Sequence, residues 1–147
     1  MPDTVDRTTR SQIMRQVPSE GSTPEMAVRR AVHAAGHRYQ LHRKDLPGHP
    51  DLIFPRYRLV VFVHGCFWHW HGCKRSRMPT DHHDYWTAKI ERNQRRDREN
   101  QAKLETLGWR WRIIWECELK AGIARLLDEL AEERKSLIEK SKERHFV

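Results

Sequence analysis

Five residues able to bind a metal ion crowd into ten positions, His64-Gly-Cys-Phe-Trp-His-Trp-His-Gly-Cys73. They are His64, Cys66, His69, His71 and Cys73, and Phe67, Trp68 and Trp70 lie between them. Thiolates and imidazoles packed this closely indicate zinc. Aromatic rings inside such a segment are not explained by packing alone. They point to a rigid loop that presents flat rings to a flat partner.

A closed structural zinc site takes four ligands. The segment holds two cysteines, and the chain has one more, Cys117. Cys117 lies just past an apolar run at 109–115, so a shared ion would tie the loop to a sheet. One histidine completes the set. His71, two residues from Cys73, is the easiest by loop geometry, while spacing leaves His64 and His69 open. The plainer account is three buried free thiols and surface histidines. An odd number of cysteines, in a chain whose polar N-terminus has no signal-peptide core, argues against disulfides and for metal binding.

At 147 residues the chain suits one domain. Its 28 Lys+Arg against 20 Asp+Glu leave +8, a balance suited to a polyanionic partner. No apolar run approaches membrane-spanning length, and a cytoplasmic protein is the expectation.

Residues 1–20 read as a polar arm with one short helix near 10–15. Ser22-Thr-Pro-Glu25 is a helix start, with a hydroxyl cap, a proline in the first turn and an acid near the positive end of the dipole. Ala27, Val28, Ala31, Val32 and Ala35 follow at helical spacing, and Gly36 stops them. Residues 38–42 read as a strand, Leu46-Pro-Gly-His-Pro50 as a turn, and 51–54 and 58–63 as paired strands. After the metal loop, a long helix is expected over 84–107, with Trp86, Ile90 and Leu104 among its buried candidates. A half-buried strand follows over 109–115, then a helix over 119–137. Residues 139–147 read as a charged, fraying tail. The domain proper is placed at 21–138, in the order α-β-β-β-α-β-α.

Pro50-Asp51 opens one strand and the neighbouring run ends at His64. This is the geometry of nucleases with a Pro-Asp … (Asp/Glu)-x-Lys signature, where carboxylates hold Mg2+ against a phosphate. Here Phe62-Val63-His64 stands in place of the second acid and lysine. The plainer role for Asp51 is a turn cap, for Glu25 an ordinary first-turn acid, and for Asp97, among Arg92, Arg95, Arg96 and Arg98, a helix-face ion pair. His69 near a Mg2+ site could take a proton from water, and an adjacent carboxylate would raise its basicity. Six tryptophans exceed what a small core requires. Trp109, Trp111 and Trp115 are read as core, whereas Phe67, Trp68 and Trp86 suit stacking on bases.

Taken together, these residues resemble the very short patch repair (Vsr) DNA mismatch endonucleases. The match runs over about residues 7–120, on Arg10-Ser-x-x-Met14-Arg15, Leu46-Pro-Gly-x-Pro-Asp51, Phe62-x-His-Gly-Cys-Phe-Trp-His69-x-His-x-Cys73, Trp86-x-x-Lys89-Ile90-x-x-Asn93-x-x-Arg96-Asp97 and Gly108-Trp-Arg110 … Trp115-Glu-Cys117. The resemblance implies a restriction-endonuclease-like α/β fold, a mixed sheet flanked by helices with a structural zinc loop. It implies Mg2+ on Asp51 and the Val63 carbonyl, with Glu25 and His64 acting through water. His69 would be the general base, with Asp97 behind it. Zn2+ would sit on Cys66, His71, Cys73 and Cys117. Phe67, Trp68 and Trp86 would wedge into DNA at the mismatch and Met14 would enter from the opposite groove. Arg10, Arg15, Lys89, Asn93 and Arg96 are candidate DNA contacts, with a solvated charged face as the plainer reading of each basic one. Family members often carry a further histidine where this chain has Trp70, and His82-His83 and the basic C-terminal tail match nothing in the pattern. The expected activity is Mg2+-dependent nicking 5′ of the thymine in a T:G mismatch of double-stranded DNA, for which a monomer suffices. The alternatives are a relaxed or restriction-type endonuclease of the same fold and a non-catalytic zinc DNA-binding module.

Overall fold

The computed structural model describes residues 23–145. Helix α1 spans Thr23–Ala34. Its Val28 and Val32, one turn apart, are fully buried, and Gly36 follows in the left-handed region at φ +81°. Strands β1 (Leu52–Phe54) and β2 (Leu59–His64) are joined by a 3-10 turn at Pro55–Tyr57. Helix α2 (His83–Thr106) leads to β3 (Arg110–Trp115), and a second 3-10 turn at Glu116–Glu118 leads to helix α3 (Leu119–His145).

The sheet has the order β1-β2-β3. β1 runs antiparallel to β2, pairing Leu52 with Val61. β2 runs parallel to β3, in a register from Leu59–Arg110 to His64–Trp115. A parallel pair needs a long crossover, supplied here by the loop at 65–82 and α2. β2 is therefore central and covered on both faces, which explains its unbroken apolar run. Leu59 and Val61 pack with Val28, Val32, Leu126 and Leu130 of α1 and α3. Val60 and Phe62 pack the other way, with Leu46, Leu104 and Trp109. The result is a helix–sheet–helix sandwich. Gly122 lets α3 lie close on β3, since a Cβ there would sit 2.8 Å from the Ile114 side chain.

Three expectations need correction. Residues 38–42 are not a strand, because only an isolated bridge joins Gln40 to Ile53 and His42 turns the chain away at φ +59°. The order among the described residues is thus α-β-β-α-β-α. The segment from Glu139 does not leave the fold as a frayed tail: α3 continues to His145, in a stretch with neither Gly nor Pro to stop it. Of the three tryptophans read as core, only Trp109, just before β3, is buried. Trp111 and Trp115 are half-buried, and Ile114 is the strand's core residue on the α1/α3 side. No helix among the described residues is long and apolar enough to cross a membrane.

Candidate active site and metal centre

The loop after β2 folds back on itself through backbone bonds from His71 N–H to the Cys66 carbonyl (2.9 Å) and from Trp70 N–H to the Phe67 carbonyl (3.2 Å). Trp70 itself sits at φ +49°, an uncommon conformation for a bulky residue, and this turn brings His71 back beneath Cys66. Cys66, His71, Cys73 and Cys117 converge, with one donor atom of each within 4.8 Å of all the others. His71 Nδ1 lies 3.2 Å from Cys117 Sγ and 3.9 Å from Cys66 Sγ. These separations bracket the ~3.6 Å nitrogen–sulfur edge of a zinc tetrahedron built from standard bond lengths. All three cysteines are free thiols.

Electrostatics supports the same reading. Burial and the neighbouring thiols push Cys117 up to about 12. Burial also opposes ionisation of Cys73, but bonds from His71 and the Arg75 backbone outweigh it and bring that thiol down to about 6. Three thiols this close cannot all ionise unless a cation joins them, so the donor set fits a divalent metal. Buried Ser76 braces the loop. Its hydroxyl donates to the Cys66 carbonyl (2.8 Å) and accepts from Gly72 N–H (3.1 Å).

A second group forms at the mouth of β1. Asp51 Oδ2 accepts a 2.6 Å bond from Val63 N–H, so this aspartate spans the strands and is no turn cap. α1 brings Glu25, 3 % exposed, against it. Burial first, and then the hydrogen bond and charge of Glu25, push the Asp51 carboxyl up to about 8. Arg29, one turn along α1, pairs with Glu25 at 2.5 Å. A cleft of about 190 Å³ opens here, lined by Glu25, His42, Arg43, Lys44, His49, Pro50 and Asp51. Its floor is acidic and its rim basic, which suits a cation together with a phosphate.

A third group stands at the end of β2. His69 Nδ1 and Asp97 Oδ2 are 2.6 Å apart. The His64 and His69 rings stack at 3.6 Å and 5°. Burial, and then the neighbouring His69, lower His64 to about 4, so at neutral pH it adds no positive charge beside His69. His64 Nδ1 is buried and has no protein partner. Such an atom calls for water or an ion. Trp115 separates the two histidine clusters, since it stacks on His71 at 4.3 Å and meets His64 edge-on at 5.2 Å.

On the outer side of the same loop, Phe67, Trp68 and Trp86 form a closed trio with centroid separations of 5.1, 5.6 and 5.8 Å. Trp68 is 45 % exposed. The ammonium of Lys89 lies over Trp68 at 5.1 Å and over Trp86 at 5.7 Å. Asn93 donates to the Trp68 carbonyl (3.1 Å). Lys89 and Asn93, expected as DNA contacts, therefore also brace the trio.

The structure thus gathers Glu25 with Asp51, His64 with His69 and Asp97, the four zinc candidates, and the aromatic trio. Arg96 lies exposed on α2. Arg10, Met14 and Arg15 lie outside the described residues. Sequence reasoning missed Arg29, Ser76 and Trp115 as parts of the site, as well as Tyr85, an exposed ring beside Trp86 at 5.1 Å.

Residues 2–75 match the family model described as DNA mismatch endonuclease Vsr. The chain is 50 % identical over 119 residues to the type II nicking enzyme V.XorIIP of Xanthomonas oryzae pv. oryzae, covering 81 % of this chain and 88 % of that one. It is 38 % identical over 134 residues to the DNA mismatch endonuclease Vsr of Escherichia coli, covering 91 % and 85 %. It is also 38 % identical over 120 residues to the type II nicking enzyme V.NmeAIP of Neisseria meningitidis, covering 82 % and 86 %. Fold, site and relatives together define a DNA endonuclease. The chain belongs to the Vsr family.

Proposed function

We propose that this endonuclease nicks one strand of double-stranded DNA, 5′ of the thymine of a T:G mismatch, by hydrolysis that depends on Mg2+. One observation carries the reading. A single loop turns Cys66, His71 and Cys73 into one cluster, Phe67 and Trp68 into an outward trio with Trp86, and His69 inward to Asp97. Stacking chemistry and acid–base chemistry are thereby set a few residues apart on one braced segment. The mixed sheet between helices suits the restriction-endonuclease-like class. Relatives named as nicking enzymes favour cutting one strand over two.

Magnesium would be held by Asp51 and the Val63 carbonyl, with Glu25 and His64 reaching it through water, and would supply charge neutralisation at the phosphate and a more acidic water. Hard carboxylates at the cleft floor and the orphaned His64 Nδ1 fit that role. Zinc would be held by the Cys/His cluster and would lock the loop. The protein's own part is to place and deprotonate. With Nδ1 bonded to Asp97, His69 keeps Nε2 to accept a proton from the attacking water. Water oxygen bonds to phosphorus as the bond to O3′ breaks, leaving a 5′-phosphate, and the departing O3′ takes a proton from solvent water to give the 3′-hydroxyl. Phe67, Trp68 and Trp86 enter the stack at the T:G wobble, where unstacking costs less than at a correct pair.

The test is nicking of end-labelled T:G and T:A duplexes with Mg2+ or EDTA. Cleavage of the T:G strand alone, and only with Mg2+, is expected. Equal cutting of both duplexes would remove the mismatch reading and spare the nuclease. A second expected outcome concerns the His69 pair. Asp97→Asn should lower the single-turnover rate by about 10²–10⁴-fold, the usual worth of a positioned acid or base. Duplex affinity, read by fluorescence anisotropy, should stay unchanged.

A further inference from the structure

Arg29 plays no part in the expected chemistry, yet it reaches into the acidic floor of the cleft. Its guanidinium pairs with Glu25 Oε2 at 2.5 Å, with 16 % of the Arg29 side chain and 4 % of the Glu25 side chain exposed. The rest of the guanidinium is poorly provided for. Among the described residues, Nη1 meets the weak acceptor sulfur of Met26 at 3.4 Å, and Nε is buried without a hydrogen-bond partner. A buried donor left unmade is costly, so an arginine kept in this position is held mainly by Glu25. Glu25 in turn lies against Asp51. Glu25 and Asp51 would carry two negative charges when ionised, and Arg29 offsets one of them.

We propose that Arg29 is a resident counter-charge that competes with the divalent cation for the Glu25–Asp51 site and thereby sets its affinity. The inference rests on the reading of Asp51 and Glu25 as the Mg2+ site. A fixed positive charge in contact with one of the site's two carboxylates repels an entering divalent ion. It also lets the two acids lie together in the ion-free protein. Weak resting affinity would make DNA, whose scissile phosphate adds negative charge at the same cleft, the partner that completes the cation site. Cation uptake and substrate engagement would then be coupled through charge rather than through movement.

A bland alternative is that Arg29 simply orients Glu25, and the two predict opposite signs. Mg2+ and Mn2+ are titrated calorimetrically into the DNA-free protein, and the cation-induced rise in Tm is measured alongside. Arg29→Met, which keeps length and removes charge, should bind Mn2+ about tenfold more tightly than wild type. Arg29→Lys, which keeps the charge, should stay near wild type and controls for folding. Unchanged or weaker binding by Arg29→Met overturns the proposal. Tighter binding that survives Asp51→Asn in the same background also overturns it, because the ion then sits elsewhere. The first result leaves the Mg2+ reading standing; the second counts against Asp51 as the cation's holder as well, and nicking by Asp51 variants tests that reading separately.

Discussion

Asp51→Asn should abolish nicking and at the same time stabilise the ion-free protein at alkaline pH. The first half follows from the placement of Asp51 at the cleft floor. Loss of the carboxylate proposed to hold the metal would remove several kcal/mol of transition-state stabilisation, so the single-turnover rate should fall about a thousandfold or more. The second half follows from linkage. In the unfolded chain this carboxyl titrates near 3.8, but in the fold burial and Glu25 raise it to about 8. Between those two values the folded protein holds a proton that the unfolded chain has released. Stability therefore falls as pH rises through that window, and the loss is complete above about pH 8. Asparagine carries no such penalty and can still accept the bond from Val63 N–H. Thermal unfolding in EDTA should show equal Tm for the two proteins near pH 4 and a higher Tm for Asp51→Asn at pH 8.5. A lower Tm for the variant at the higher pH would mean that Asp51 is a structural residue held by Val63, not a functional one held against Glu25. Excess Mg2+ should reverse the order by stabilising wild type alone.

Local pattern carried much of this molecule. Helix α1 was readable from its Thr-Pro-Glu start and Gly36 stop, and β2 from an unbroken apolar run. That the loop gathers a metal-capable Cys/His cluster was readable from residue type alone, because such a density of thiols and imidazoles suits metal binding. What local pattern could not carry was pairing across the chain. Trp115 looked like one more core residue of an alternating strand. The parallel register sets it opposite His64, and only that long-range pairing makes it the wall between two histidine clusters. Glu25 read as an ordinary first-turn acid, and Arg29, four residues on, drew no reading. Only the fold sets Glu25, nearly buried with its Arg29 partner, against Asp51. Residues 38–42 failed for the opposite reason. Their composition suited a strand, but a left-handed His42 limits their contact with β1 to one bridge.

If zinc fills the Cys/His cluster as proposed, its removal should disable the enzyme through geometry rather than chemistry. Cys117→Ser is the sharpest test, because Cys117 is the one candidate ligand outside the loop. It lies in the 3-10 turn that follows β3, so an ion shared with Cys66, His71 and Cys73 joins the loop to the sheet. Without that tie, two things should loosen together. Phe67 and Trp68 follow directly on Cys66, and His69 lies between Cys66 and His71, so the aromatic trio and the His69–Asp97 pair share one anchor. Zinc content should be near one ion per wild-type chain and well below that in Cys117→Ser. The variant should melt earlier and cut T:G duplex at least about 100-fold more slowly, beyond what loss of a metal's outer partners costs. The hydrophobic layers around β2 do not include the cluster's His71, Cys73 or Cys117. Far-UV circular dichroism should therefore remain close to wild type while near-UV signals from Trp68 and Trp115 collapse. Full zinc retention in Cys117→Ser would show that the ion, if bound, does not reach the sheet. The loop would then need another anchor to hold its aromatics toward DNA.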